Sequence, residues 1–332
     1  MAARSGQKIK LFYIVDILKK HSDENHPLNA TQICEKLSYE GITAERKAVY
    51  DDIECLINYG FDIIKTRSPK NGFFLGEREF EIPEIYLLED AVKTAKFISA
   101  KKTRELVSKL NAMLSKYERK SKEHGIYFDT AGKTDNEEIF YSIDAIGSAI
   151  RNGHKVKFRY GIRTISSDRQ PKTNYKEHTV SPYAMTWQDD HYYLIANNEK
   201  YDNLMHLRID RMRSVTETDM PVRPMKEVSD YDGEFDVADY TSKLFGMFGG
   251  ETEEVKLRCS KKIIEQIFDR FGKGIFVSNV TDTHFTFTAS AAVSEAFATF
   301  IMNYGEDIEV ISPSSLRDMI KKRAEQIIKI YK

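Results

Sequence analysis

Apolar residues recur at helical spacing along the amino-terminal part of the chain. The spacing predicts a helix from about Lys8 to His21 and a second helix that Gly41 closes. A third predicted helix has four apolar positions that face inward: Val49, Ile53, Leu56 and Ile57. Two short helices joined by a tight turn that contains glycine are typical of a helix-turn-helix.

An alternating pattern then predicts a β-hairpin. Residues 62–65 and 72–75 flank a polar turn that ends in Asn71-Gly72, and Asn-Gly is common in hairpin turns. A hairpin directly after a helix-turn-helix makes a winged helix. We therefore expect residues 1–80 to form a winged helix-turn-helix DNA-binding domain.

The third helix and the hairpin carry the candidate DNA contacts. In a helix-turn-helix the amino-terminal residues of the second helix of the motif enter the major groove, and the wing holds phosphates. The predicted DNA-binding residues are Thr43, Glu45, Arg46, Lys47, Tyr50, Lys65, Arg67 and Lys70. The alternative is a solvated charged surface, because the first 80 or so residues have nearly balanced charge.

Residues 81–135 read as a helical linker. Helical spacing continues from Pro83, with a break near Ser99, and basic residues greatly outnumber acidic ones between Lys93 and Lys122. Such a run is compatible with a polyanionic partner. An ordinary solvated basic face is the favoured interpretation, and extra contact with a nucleic-acid backbone is the alternative.

The segment 136–222 turns from helix to strands. A helix with isoleucines on one side precedes a strand in which Val156, Phe158 and Tyr160 alternate with basic residues. Residues 161–174 are polar and predict a loop, and residues 177–182 predict the next strand. From Ser181 to Arg213 the pattern predicts three strands and two turns. A small SH3/Sm-like β-barrel or a curled sheet accounts for this order.

A barrel of this kind gathers basic and aromatic side chains near one mouth. The candidate ligand-binding residues are Lys157, Arg159, Ser181, Tyr183, Tyr193, His206, Arg208 and Arg211. Two guanidinium groups grip phosphate through paired hydrogen bonds. Two alternatives stay open: Arg208 serves as a structural partner of Asp210, and the Ser181 hydroxyl holds a backbone group.

The rest of the chain predicts a connector and a second α+β module. Residues 223–250 contain prolines, an acidic run and a short helix, and so read as a connector. Over residues 251–332 the pattern runs strand, helix, strand, strand, helix, strand, followed by a closing helix. That order is typical of a ferredoxin-like split βαβ fold. The whole chain is thus expected to be a multidomain α+β protein.

Composition narrows the functional classes. The 332 residues are 41% hydrophobic and 30% charged with a net charge of −1, as in ordinary globular proteins. The cysteines and histidines lack metal-ligand spacing, and no acid, base and nucleophile are arranged for catalysis. We therefore expect neither an enzyme nor a cofactor or metal site. A chain without a long apolar run or a secretory signal is expected in the cytoplasm, away from membranes.

Three groups of residues resemble a known family. Ser181-Pro182-Tyr183, Tyr192-Tyr193-Leu194 and residues 207–212 (LRIDRM) resemble the core of a WYL domain, a ligand-sensing module of bacterial transcription regulators. Residues 46–53 (RKAVYDDI) resemble the winged helix-turn-helix that precedes WYL domains, and residues 269–272 (DRFG) resemble the carboxy-terminal extension that follows them. Tyr192 stands where the family has its name-giving Trp.

The resemblance implies a regulatory role. We expect a homodimeric, ligand-responsive transcription regulator that binds a double-stranded DNA operator and senses a nucleotide or oligonucleotide through its WYL domain. The alternative is an accessory protein of a phage-defence system that binds RNA or single strands, because basic grooves with stacking aromatics suit single strands equally well.

Overall fold

A computed structural model describes residues 3–120, 132–167, 169–229, 231 and 235–332. The chain forms two compact units, which meet in the sequence between Asp135 and Asn136. The predicted loop at 125–135 and Lys122 lie largely or wholly outside the described residues.

Unit 1 begins with three helices and a hairpin. The helices are α1 (Ala3–His21), α2 (Ala30–Tyr39) and α3 (Arg46–Tyr59), and the strands are β1 (Ile63–Thr66) and β2 (Gly72–Leu75). Asn29 caps α2 in a capping box with Gln32, and Gly60 ends α3 at a φ of 116°, as helix-end signals predict. Ile14, Leu18, Ile33, Leu37 and Val49 form the middle of the core that joins these elements.

The remainder of unit 1 is helical, as the sequence pattern predicts. It contains α4 (Ile82–Thr94), α5 (Ala100–Ala112) and α6 (Lys116–Lys120), with Ser99 capping α5. Several cations of the basic run are engaged within this unit: Lys93 pairs with Glu89, and Lys102 pairs with Glu105. The charge that this run offers to a partner is therefore smaller than its composition indicates.

Unit 2 opens with a helix on a five-stranded sheet. The elements are α7 (Ile139–Asn152), β3 (His154–Ile165), β4 (Pro171–Gln188), β5 (His191–Asn197), β6 (Met205–Arg208) and β7 (Met212–Pro221). The strand order is β6-β5-β4-β3-β7, all antiparallel. In the described part of the chain, no pairing joins the edge strands β6 and β7. The predicted barrel is therefore an open sheet.

Two details of this sheet differ from the prediction. The polar segment 161–174, predicted as a loop, is mostly a pair of strands, because β3 continues to Ile165 and β4 begins at Pro171. Strand β7 was not predicted at all. Segment 161–174 is exposed on both faces, and the half-buried face of β7 is mostly polar, so neither carries the apolar alternation by which strands are identified.

The carboxy-terminal part has the predicted element order. It comprises the connector helix α8 (Val237–Ser242), then β8 (Glu251–Ser260), α9 (Ile264–Phe271), β9 (Phe276–Val280), β10 (His284–Val293), α10 (Glu295–Met302), β11 (Ile308–Ser312) and α11 (Ser314–Ile330). The antiparallel sheet has the order β11-β8-β10-β9. Its buried face packs under the helices through Leu257, Ile267, Phe287 and Phe297.

The connector packs against the five-stranded sheet. Leu244 and Met247 form one buried cluster with Ala184 and Ile195 of the sheet and with Ala292 of β10. At its edge, the Nε2 atom of His206 lies 3.0 Å from the Tyr240 hydroxyl. Burial lowers the pKa of His206 to about 4, so the ring is neutral in the folded protein near pH 7.

Asn136, the first residue of unit 2, holds the turn between β6 and β7. Its side chain is buried, and its amide nitrogen donates to the carbonyl oxygens of Asp210 at 3.0 Å and Met212 at 2.8 Å. Its side-chain oxygen accepts from the Glu138 N–H at 2.9 Å. Two hydrogen bonds thus tie the start of unit 2 to the turn between β6 and β7, and the third holds the Asn136 side chain against the residues that precede α7.

Among the described residues, no helix has the length and apolarity needed to cross a membrane.

Replacing Asn136 by Ala is expected to lower the free energy of unfolding of unit 2 by about 1–3 kcal/mol, since two buried carbonyl oxygens lose a donor. Arg213 also donates to both carbonyl oxygens. Each oxygen therefore keeps one donor in the Ala variant, and the loss of unfolding free energy stays within this range. Urea denaturation measures it. Asn136→Asp keeps the acceptor for Glu138 but not the donors, so it must destabilise as well; an Asp variant as stable as the parent would contradict this role.

Stability is expected to fall as the pH decreases from about 6.5 to about 4, in part through His206. The unfolded ring takes up a proton near pH 6.5, whereas the folded ring does so only near 4, so acid favours the unfolded chain by up to about 3 kcal/mol. Denaturation at several pH values compares the parent with His206→Gln, whose stability should depend less on pH. Parallel pH profiles for the two proteins would refute the assignment.

Candidate functional site

The predicted DNA-binding residues lie at one end of α3 and on the hairpin of unit 1. Arg46 is the first residue of α3, Lys47 follows it, and both side chains are exposed. Thr43 and Glu45 are exposed in the turn before the helix. The free N–H groups of a helix amino terminus also favour anions. This end of α3 therefore combines the helix dipole with the cationic side chains of Arg46 and Lys47.

The hairpin residues adjoin this helix. Lys65, Arg67 and Lys70 are exposed on β1 and the following turn. Lys65 Nζ lies 5.7 Å from the centroid of the Tyr50 ring, and Tyr50 packs edge-on against Phe73 at 5.6 Å. Tyr50 therefore has a structural part in joining α3 to the hairpin, although 38% of its surface stays exposed.

In unit 2, the two predicted arginines flank the turn after β6: Arg208 ends the strand, and Arg211 ends the turn at residues 209–211. Their surroundings differ. Arg208 Nε donates to one carboxylate oxygen of Asp210 at 3.0 Å, and its Nη2 donates to the other at 2.8 Å. Asp210 is buried with a relative exposure of 8%. The structural alternative for Arg208 is therefore the observed one: its fork neutralises a buried carboxylate.

Arg211 is exposed beside two tyrosines. Its guanidinium interacts with the Tyr160 hydroxyl by charge and hydrogen bonding, which lowers the pKa of Tyr160. Burial has the larger effect and raises this pKa, so Tyr160 stays neutral and keeps its proton to donate. Burial likewise raises the pKa of Tyr193, which stands opposite Arg208 in the β5–β6 register. Arg211 with these two phenols offers one exposed charge and two hydroxyl groups, a set that suits a phosphate.

Two other predicted ligand contacts serve the backbone instead. The Ser181 hydroxyl is buried and accepts the Arg223 N–H at 2.9 Å. Tyr183 donates its hydroxyl proton to the Arg223 carbonyl oxygen at 2.8 Å. Both side chains anchor the chain where it leaves β7 for the connector, as the alternative for Ser181 expects; that they also hold a ligand stays a prediction.

The remaining predicted contacts are likewise dispersed. His206 faces the connector, where its Nε2 atom forms a hydrogen bond with the Tyr240 hydroxyl. Lys157 forms an exposed ion pair with Glu177 at 3.1 Å. The Arg159 guanidinium lies 4.9 Å from the centroid of the Tyr175 ring. The structure therefore brings together only Tyr193, Arg208 and Arg211 of the eight predicted ligand residues.

Unit 2 also contains a cleft of about 660 Å³ for which the sequence carries no signal. It lies between the β4–β5 turn, the connector and helices α9 to α11, and it is lined by Asp189, Phe248, Asp269, Thr299 and Phe300 among others. Arg270 forms part of its wall, stacked 3.8 Å from the Phe245 ring centroid and donating to the Ser242 carbonyl oxygen. These residues come from distant segments, so only the fold brings them together.

Metal chemistry has no evident site here. Within the described ranges, no three side chains of His, Cys, Asp or Glu come together as ligands for an ion. Cys259 is buried, and burial raises the pKa of its thiol to about 12. This thiol is therefore protonated and unsuited to act as a nucleophile.

Comparison with known proteins identifies two domains in unit 2. The family model of the WYL domain matches residues 142–217, and that of the WCX domain matches residues 251–328. None of the curated proteins matches the chain. Among solved structures, proteasome accessory factor B/C (PafBC) of Arthrobacter aurescens is 18% identical, with a TM-score of 0.27; the match covers 94% of this chain and 47% of that one. The chain therefore spans about half the length of PafBC. It contains a WYL domain followed by a WCX domain.

Proposed function

We propose that this protein is a ligand-responsive, DNA-binding transcription regulator. The observation that carries the proposal is the combination, in one chain, of a WYL domain with a three-helix and hairpin unit whose third helix begins with exposed Arg46 and Lys47. Helix α3 is the proposed recognition helix, and the hairpin is the wing. The proposed partner is a double-stranded DNA operator.

Arg211 is the proposed anchor for the ligand of the WYL domain. It is exposed, whereas the charge of Arg208 is satisfied by Asp210. A nucleotide or oligonucleotide phosphate next to Arg211 gains a charge-assisted hydrogen bond, and Tyr160 and Tyr193 are both near enough for their hydroxyls to interact electrostatically with Arg211. Arg208 then acts as a positioning residue that keeps the turn in place.

The proposed signal leaves this turn through Asn136. Its amide is bonded to the carbonyl oxygens of Asp210 and Met212, which bracket Arg211. Asn136 also directly follows the last residue of unit 1 in sequence. A ligand that shifts the turn therefore acts on the segment through which unit 2 is connected to the DNA-binding unit. Such a shift requires only that the ligand bind two arrangements of the turn with different affinity.

The active form is proposed to be a homodimer, because helix-turn-helix proteins commonly read paired half-sites. The end of α11 is a candidate contact: Ile327, Ile328, Ile330 and Tyr331 are exposed there. Met319 and Ile320 of the same helix pack instead against the carboxy-terminal core. Footprinting on the DNA upstream of the protein's own gene tests both proposals, since a dimeric regulator protects a two-fold palindrome.

A second candidate function is an accessory role in phage defence, through binding of RNA or single-stranded DNA. The stacked pair of Arg159 and Tyr175 favours it, because an aromatic ring beside a cation suits unpaired bases. A footprint without a palindrome, together with tighter binding to single strands than to duplex, would favour this role over promoter binding.

Replacing Arg46 and Lys47 together by Ala is expected to abolish duplex binding without unfolding the protein, since both side chains are exposed. Each phosphate that loses its cation should reduce the slope of log affinity against log salt by about 0.9. Fluorescence anisotropy over a salt series measures both quantities. Replacement of the exposed pair Lys261 and Lys262 in unit 2 removes the same charge and should leave both unchanged. Equal affinity and slope in parent and α3 variant would exclude α3 from the interface.

Arg208→Ala and Arg211→Ala are expected to separate structure from ligand binding. Loss of Arg208 leaves the Asp210 carboxylate without its partner and should cost about 1.5–3 kcal/mol of stability. Loss of the exposed Arg211 should change stability by less than about 0.5 kcal/mol, yet weaken nucleotide or oligonucleotide binding roughly ten- to a hundredfold. Melting curves and calorimetry measure the two effects. The reverse pattern, with Arg211→Ala unstable but binding normally, would contradict the assignment.

A further inference from the structure

The cleft of about 660 Å³ in unit 2 is bounded by two tight turns. The β4–β5 turn places Asp189 at the cleft, and the connector turn places Phe248 there. The central residues of both turns have positive φ values of 50° to 60°: Asp189 and Asp190 in the first, Gly246 and Met247 in the second. Positive φ at both central residues is the mark of a type I′ turn. The two turns therefore hold Asp189 and Phe248 in defined positions.

Arg270 brings a positive charge without a counter-charge into the cleft. Its guanidinium lies 3.8 Å from the Phe245 ring centroid and donates to the Ser242 and Leu244 carbonyl oxygens. Burial lowers the pKa of Arg270, and the Asp189 carboxylate, which forms no ion pair with it, offsets this only in part. In the described part of the chain, no carboxylate pairs with Arg270. An anionic group that reaches this guanidinium therefore gains a charge-assisted hydrogen bond.

Two carboxylates of the cleft likewise have no cation of their own. Asp189 lies in the β4–β5 turn and Asp269 near the end of α9, and both are exposed. Within the described ranges, neither carboxylate forms an ion pair or a hydrogen bond. The third carboxylate of the lining, that of Glu295, pairs with Arg323 at 3.1 Å and so joins α10 to α11. The cleft thus offers one unpaired positive charge and two unpaired negative charges.

The cleft also has an apolar wall. Phe248 is 60% exposed, although the adjacent Met247 is buried. Ala296 and Phe300 are one turn apart on α10 and line the same cleft. Covering an exposed aromatic ring with an apolar group is favourable. Binding sites for small molecules commonly combine such apolar walls with a few polar groups that fix the orientation of the ligand.

We propose that this cleft binds a free α-amino acid with an apolar or aromatic side chain. Arg270 holds the carboxylate of the amino acid, Asp189 and Asp269 hold its ammonium group, and its side chain packs against Phe248 and Phe300. This assignment is independent of the proposed regulatory function, which rests on α3 and on Arg211.

The charges of the lining select this class of ligand over others. A phosphate meets three carboxylates against two guanidinium groups and is repelled. A simple organic cation satisfies Asp189 and Asp269 but leaves Arg270 without an anion. A zwitterion satisfies both kinds of charge at once. An internal peptide segment carries neither the free carboxylate nor the free ammonium group that these residues recognise.

Isothermal titration calorimetry of the full chain with L-phenylalanine and L-leucine tests the proposal. We expect at least one of the two to bind with a Kd below about 1 mM. Two analogues of L-phenylalanine each lack one charge: phenethylamine lacks the carboxylate, and hydrocinnamate lacks the ammonium group. Each analogue should bind roughly ten- to a hundredfold more weakly than L-phenylalanine, because it loses one charged, hydrogen-bonded contact.

Variants of the cleft give a second readout. Replacing Asp189 and Asp269 together by Asn should weaken amino-acid binding at least about tenfold without weakening hydrocinnamate, which has no ammonium group. Phe248→Ala should weaken the amino acid and both analogues alike. The exposed Asp282→Asn and Tyr331→Ala remove a carboxylate and a ring outside the cleft, so both controls should bind like the parent. Arg270 is left unchanged because it also holds the connector.

Several outcomes would overturn the proposal. Failure of both amino acids to bind would do so, and so would equal affinity for L-phenylalanine and its two analogues, which would show that the charges take no part. Parental affinity in the double Asn variant would place the ligand elsewhere. Arg211→Ala lies outside the cleft and must bind the amino acid like the parent. If this variant loses amino-acid binding, the turn at residues 209–211 is the site and the cleft is not.

The two proposals can fail separately. Loss of nucleotide binding in Arg211→Ala with normal amino-acid binding supports both sites, whereas normal nucleotide binding in that variant refutes the sensing turn and leaves the cleft assignment intact.

Discussion

The arrangement of unit 2 depends on a buried amide that satisfies backbone carbonyl groups. The turn at residues 209–211 joins β6 and β7, which are the two edge strands of the five-stranded sheet, and the carbonyl oxygens of Asp210 and Met212 lie in this turn and at the first residue of β7. Asn136 supplies two donors to them from a buried position, and Arg213 supplies a further one. Buried carbonyl groups without a partner are costly, so this contact fixes the turn, and the turn in turn fixes Arg208, Asp210 and Arg211.

The same residue types that suit a ligand site also hold this fold together. Ser181 and Tyr183 secure the chain at Arg223, His206 secures the connector, and Arg208 neutralises a buried carboxylate. A serine, a tyrosine, a histidine and an arginine each have hydrogen-bonding groups that must be satisfied when buried. The proposed ligand binding therefore rests on the exposed Arg211 with its two neighbouring phenols, which are fewer residues than the pattern of polar residues predicts.

The helices and the order of the carboxy-terminal strands could be predicted from the sequence because each of these elements buries one face and so carries a periodic apolar pattern. Strand β7 and the distal part of the β3–β4 pair (residues 161–174) could not. The half-buried face of β7 is mostly polar, and the distal β3–β4 segments are exposed on both faces, so both have the pattern of a polar loop. From the sequence, Arg208 could be assigned either to a ligand or to Asp210, because Asp210 is only two residues away. The covering of His206 by Tyr240 and the cleft beside Arg270 depend on contacts between distant segments, for which no local pattern exists.

The most direct test of the account is the linkage between the two units. If ligand binding to the WYL domain controls DNA binding by α3, a saturating oligonucleotide bound at Arg211 must change the affinity of the protein for operator duplex. Duplex must then change the affinity of the protein for that oligonucleotide by the same factor. Anisotropy titrations of operator duplex, with and without the oligonucleotide, measure this factor. The account predicts a several-fold change in the parent and none in Arg211→Ala. An operator affinity that is identical with and without saturating ligand in the parent would contradict it.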